Sequence, residues 1–219
     1  MKYYSDQEKL DAQRVKAIES RLASERYNWD AIFEELKDIY RNIPSAGYLN
    51  SFEDGENYYY KFWDMSEFFS YCGHAKESDS RKRVVWIENA YPKCCYYMAF
   101  ICIERGEYNV AMEILEKGIE LEPDNPELLS EMGLLLGQAG ASTGDTDYFN
   151  KAIHFYEKAF NARPFNSDSQ KARALRGTGY ILVELGDYAK AKEMYEASLT
   201  FEESEIAISE LQIIAENQR

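Results

Sequence analysis

The feature that most restricts what this chain can fold into is a repeat. Residues Tyr91 to Asn125, YPKCCYYMAFICIERGEYNVAMEILEKGIELEPDN, read as helix, tight turn, helix and stop. Tyr97, Met98, Ile101 and Cys102 make one apolar stripe, and Arg105-Gly106-Glu107 the turn. Tyr108, Ala111, Ile114, Leu115 and Ile119 make the second stripe, and Pro123 closes the unit. Ala111 recurs as Ala152 and Ala191, at separations of 41 and 39 residues. Gly106, Tyr108 and Ala111 recur together as Gly186, Tyr188 and Ala191, and Pro123 recurs as Pro164. Small residues let paired helices approach closely, and glycine permits the tight turn. One helix pair cannot bury its own stripe, so such units stack.

This pattern resembles the tetratricopeptide repeat, a helix–turn–helix unit of about 34 residues. The resemblance covers about residues 92–203 in three units, 92–125, 126–166 and 172–203. Met98-Ala99, Met132-Gly133 and Thr178-Gly179 fill the pair where the two helices of each unit cross. Glu203 replaces the closing proline of the third unit. The extra residues between units are expected in loops, at Gly140–Asp147 and Pro164–Lys171. The resemblance implies an all-α chain, an α-solenoid with an N-terminal helical segment over 1–90 and a capping helix over 204–219. Ile206, Ile208, Leu211, Ile213 and Ile214 are expected to cover the last repeat, because an open-ended stack needs a cap.

In the N-terminal segment, residues 6–24 read as an amphipathic helix with Leu10, Val15, Ile18 and Leu22 on one side. A second helix is expected from Asn28 to Arg41, burying Trp29, Ile32, Phe33, Leu36 and Ile39. Ser45 to Asn57 is polar and reads as loop. The aromatic run YYYKFWDMSEFFSY, Tyr58 to Tyr71, is read as a helix with Tyr59, Phe62, Trp63 and Phe69 near one face. Core packing is the reading taken for it, since a base-stacking platform needs interleaved cations and the run holds only Lys61. Residues 73–83 read as a turn or linker, with Arg81-Lys82-Arg83 a solvated cluster. Val84–Ile87 suits either a strand or a short helix.

The charge balance, net −14, opposes phosphate backbones and anionic lipid, so neither nucleic acid nor membrane is an expected partner. Cys72, Cys94, Cys95 and Cys102 fit a reduced, cytoplasmic protein better than a disulfide framework. Cys72, His74, Cys94 and Cys95 are soft ligands at an unusual spacing, and buried structural cysteines are preferred to a metal site. His154 lies two residues after Ala152 and is expected on the outer helix face. No nucleophile elbow, zinc-protease or phosphate-loop pattern is present, so neither catalysis nor a cofactor is expected.

Function is therefore expected on the groove that first helices line in this family. The resemblance assigns Lys93, Tyr96, Phe100, Ile103 and Glu104 to it in the first unit. Glu127, Ser130, Leu134, Gly137 and Gln138 follow in the second, and Arg173, Arg176, Tyr180, Val183 and Glu184 in the third. Phe100, Leu134 and Tyr180 form an apolar spine, and Arg173 with Arg176 is suited to one acidic group. The lysine and asparagine that clamp chaperone tails in this family are replaced by Tyr96 and Phe100. A non-catalytic adaptor for a protein or peptide segment is the expected function, unless the N-terminal helices themselves cover the spine. The alternative is a small acidic secretion- or folding-type chaperone, which implies a homodimer through the first helices.

Overall fold

The computed structural model describes residues 4–22, 24, 28–77 and 82–217. They divide into two compact units, one within residues 1–123 and one within 124–219.

The first unit opens with α1 (Asp6–Leu22) and α2 (Trp29–Tyr40), followed by the strands β1 (Ser51–Asp54) and β2 (Asn57–Phe62). A helix α3 (Met65–Glu77) crosses to β3 (Arg83–Glu88), and the helix pair α4 (Tyr91–Glu104) and α5 (Tyr108–Leu121) completes the unit. Gly106, at φ 73°, turns α4 into α5, and the Glu107 amide donates to the Cys102 carbonyl at 2.8 Å. Both α1 and α2 pack on α4. Val15, Ile18, Ile32, Leu36 and Ile39 are buried in this unit. Leu10, expected beside them, is exposed, and the inward positions near it on α1 go to Glu8, Asp11 and Ala12.

The three strands correct two readings made from the sequence. The hairpin β1–β2 is antiparallel with Phe52 opposite Tyr59, and it turns at Gly55, φ 54°. The expected loop of residues 45–57 therefore ends in a strand, and the aromatic run is strand as far as Phe62, with helix only from Met65. Aromatic side chains suit a pleated, half-buried surface as well as a helix, and the Asp54-Gly55 dipeptide is a hairpin signal. Phe69, placed inward by a single-helix reading, is exposed. Val84–Ile87 lies within β3, parallel to β2 with Trp86 opposite Tyr60. The linker expected over 73–83 is helix as far as Glu77, and residues 78–81, including Arg81, lie outside the described residues.

The second unit is helical throughout its described residues: α6 (Pro126–Thr143), α7 (Thr146–Phe160), α8 (Asp168–Glu184), α9 (Tyr188–Leu199) and α10 (Glu205–Asn217). Helix starts are fixed by side chains that satisfy free amides. The Asn125 side chain accepts from Glu127 and Leu128, that of Asp145 from Asp147, and Ser167 forms a capping box with Gln170. The insertion expected as a loop at Gly140–Asp147 instead lengthens α6, which reaches Thr143 and stops at Gly144 in the left-handed region, φ 71°. Gly140 lies within α6 with the Phe149 ring against it, and a Cβ there would sit 2.8 Å from that ring.

The cap is also narrower than expected. Ala207 and Ile214 are buried against Leu182, Ala191 and Tyr195, with Leu211 partly buried beside them. Ile206, Ile208 and Ile213 are exposed. One stripe of a helix of this length cannot turn all of its isoleucines toward the same neighbour.

Candidate peptide-binding surface

In the first unit the α4 face assigned to the groove is partly covered, with Lys93 and Ile103 buried and Tyr96 and Phe100 half-buried. Lys93 is buried, its ammonium 3.3 Å from the Glu19 carboxylate and 5.5 Å from the centre of the Trp63 ring. Tyr96 meets Trp63 edge to face at 5.3 Å, and Phe100 meets Trp29 edge to face at 5.5 Å. Ile103 is buried and Glu104 exposed. A helix buried on nearly every side, as α4 is, functions as core.

The second unit is different. Leu134, Gln138, Tyr180 and Val183 are half-buried, Ser130 and Gly137 are buried, and Glu184 is exposed. A cavity of about 260 Å³ opens between α6, α8 and α10. Leu134, Tyr180, Tyr195 and Ile206 give it apolar walls, and Arg173, Arg176 and Glu210 supply charge. Tyr156 closes the floor against Gly177, where a Cβ would sit 2.2 Å from its ring. Burial holds the Tyr156 and Tyr195 phenols protonated well above the usual range.

Both arginines have internal partners. Arg173 bridges Glu127 and Glu131, at 2.5 Å from the latter, and Arg176 reaches Glu202 at 2.9 Å. Ile206, Glu210, Tyr156 and Tyr195 were not assigned to the site by first-helix spacing. The surplus of isoleucines in SEIAISELQII was the available signal for Ile206, since the helix holds more apolar residues than one stripe accommodates.

A second polar cluster lies inside the first unit. Lys61 is fully buried with its ammonium 2.5 Å from Glu8 Oε1 and 3.8 Å from the centre of the Tyr48 ring. The Tyr4 ring lies at 5.7 Å. A cavity of about 240 Å³ beside it is lined in part by Asn42, Tyr48 and Tyr91. Burial lowers the Lys61 pKa and raises that of Glu8, and their mutual attraction works against both shifts. Cys94, Cys95 and Cys102 are buried and Cys72 is half-buried. Among the described residues, no three His, Cys, Asp or Glu side chains are grouped to hold a metal ion. His154 is exposed. Among those residues, too, no helix is long and apolar enough to cross a membrane.

A model of the tetratricopeptide repeat matches residues 92–125 and 178–205, the first helix pair and most of the third. The chain carries tetratricopeptide repeats. A thermophilic tetratricopeptide protein of Thermus thermophilus shares the fold, with a TM-score of 0.64 at 14% identity over 95% of this chain and 82% of that one. The sheet in the first unit is a minor addition to this repeat architecture. The mouse protein O-mannosyl-transferase TMTC1 is 27% identical over 138 residues, which is 62% of this chain and 14% of the mouse protein. This tetratricopeptide chain thus spans about one seventh of that relative's length. The first tetratricopeptide domain of Spaghetti (RPAP3), bound to an HSP90 peptide, is 19% identical with a TM-score of 0.48, covering 58% of this chain and 93% of that one.

Proposed function

We propose that the chain is a non-catalytic adaptor that binds a protein or peptide segment on the face shared by α6, α8 and α10. The observation that carries this reading is the open cavity of about 260 Å³ between those helices. Pockets for drug-sized ligands run to roughly 300–1,000 Å³, so this one suits a single bulky side chain from a longer segment. Grooves that take peptides work in this way, through a few apolar anchors surrounded by polar contacts. Within the proposed site, Leu134 and Tyr180 keep their places as anchors, Arg173 and Arg176 frame them, and Glu127 holds Arg173; Gln138 and Val183 do not line the cavity. Of the first-repeat residues, Lys93 and Ile103 are buried in the first unit, and half-buried Tyr96 and Phe100 pack on Trp63 and Trp29.

The polar chemistry of the pocket supports binding rather than catalysis. Its arginines face carboxylates, an arrangement that fixes side chains and offers no nucleophile beside a base. The homodimer through α1 is not part of this proposal, because α1 already buries Val15, Ile18 and Leu22 within its own unit.

Selection from a random-peptide display library on the full chain tests the reading. Peptides retained by the wild type and lost on Ile206→Ser and Tyr180→Ser support it. Retention of the same peptides by both variants contradicts it.

A further inference from the structure

We infer that the segment this face takes carries a bulky apolar side chain beside a lysine or arginine, and that Glu210 receives the cation. The inference rests on the proposed binding surface and adds the chemistry of its occupant.

The charge arrangement gives the sign. Arg173 is held between Glu127 and Glu131, and Arg176 is held by Glu202. Glu210 lines the same cavity and has no ion pair among the described residues. Four paired or neighbouring carboxylates therefore face two guanidiniums. An incoming carboxylate at Arg176 meets a guanidinium whose charge Glu202 already offsets, and it is repelled by the carboxylate of Glu210 in the same cavity. An incoming cation meets Glu210 without breaking any contact.

The apolar arrangement gives the spacing. Ile206 and Ile213 are seven residues apart on α10, two helical turns, so they share a face with Glu210 between them. Ile206 is 68% exposed and Ile213 49%. The helix thus presents an apolar–acidic–apolar stripe beside the cavity that Leu134 and Tyr180 line. A segment with apolar, basic and apolar side chains in succession is its complement in both shape and charge.

The peptides selected on the full chain, and dependent on Ile206, supply the test. The inference expects them to be enriched in lysine or arginine next to a large apolar residue. Glu210→Lys should weaken a selected peptide by on the order of tenfold, since an attractive contact becomes a repulsive one. Glu193→Lys, which alters an exposed carboxylate on α9 by the same charge, should leave it unchanged. Equal weakening by both variants would assign the attraction to net charge and overturn the inference. Ile206-dependent peptides that are acidic, or indifferent to Glu210→Lys, overturn it while leaving the binding surface standing. If no selected peptide depends on Ile206, the proposed surface itself fails and the inference falls with it.

Discussion

The indole of Trp29 stands edge-on to the ring of Phe100, with centroids 5.5 Å and planes 68° apart. This contact packs the N-terminal helix α2 against the α4 position that the repeat pattern assigns to the groove. It half-buries the spine residue of the first repeat against an indole, while Leu134 and Tyr180 of the second unit line an open cavity. Trp29 is half-buried, so Trp29→Ala is expected to destabilise the first unit by about 2 kcal/mol, less than truncation of a fully buried tryptophan. Urea unfolding followed by circular dichroism checks the loss, and peptide binding by the second unit should be unchanged.

The Lys61–Glu8 pair should behave as a buried ion pair. Removing one partner leaves the other charge stranded, which costs about 3–5 kcal/mol, whereas replacing both with apolar residues is near neutral or better. Lys61→Met alone is therefore expected to be strongly destabilised, and Glu8→Leu combined with Lys61→Met to recover most of the loss. A double-mutant cycle in urea measures the coupling. Additive losses would show that the pair is not coupled.

Gly177 has no room for a side chain, since its Cβ would sit 2.2 Å from Tyr156 Cε1. Overpacking of this kind costs about 1–3 kcal/mol. Gly177→Ala should lower the melting temperature and, by displacing Tyr156, weaken peptide binding. A variant with an unchanged melting temperature would refute the close packing of these two residues.

Tyrosine ionisation should limit stability at high pH. Burial pushes the phenols of Tyr4 and Tyr71 up to about 12, and those of Tyr48, Tyr91, Tyr156 and Tyr195 also rise. Each raised group holds its proton more tightly folded than unfolded. Its contribution is therefore complete below the unfolded value of 10 and is lost as pH climbs toward 12. A spectrophotometric titration should show exposed tyrosines ionising first and the buried set ionising only together with loss of helix.

The cysteines should divide in the same manner. Burial raises the Cys102 thiol to about 11 and Cys95 to about 12, and lifts Cys94 well above its ordinary value. The thiolate is the reactive form, so at mildly alkaline pH the folded protein should modify mainly at half-buried Cys72. All four cysteines should react once the chain is denatured. Fast labelling of Cys94 or Cys95 in the native state would contradict their burial.

The repeat was legible because its geometry constrains single positions. A helix crossing admits only small residues at places such as Ala111 and Ala191, and both are fully buried. What local spacing missed depended on distant partners. Lys61 is explained by Glu8, far away in the sequence, and Tyr60 by its strand neighbour Trp86. The family resemblance placed Leu134 and Tyr180 on a first-helix face, yet said nothing of Trp29 or Trp63, which pack on the matching face of α4. Helical periodicity set the α10 isoleucines on one side, where Ala207 and Ile214 leave no space for the others. The end of α6 was hidden by Gly140 and Gly144, which read as loop until Phe149 is seen filling the space beside Gly140.

The most direct test of the central claim is chemical-shift mapping of the full chain titrated with a selected peptide rich in lysine and large apolar residues. The account predicts shifts that saturate at Leu134, Tyr180, Ile206 and Glu210, with Tyr96 and Phe100 unmoved. Saturating shifts at Tyr96 and Phe100, with Leu134 and Ile206 unmoved, would contradict it.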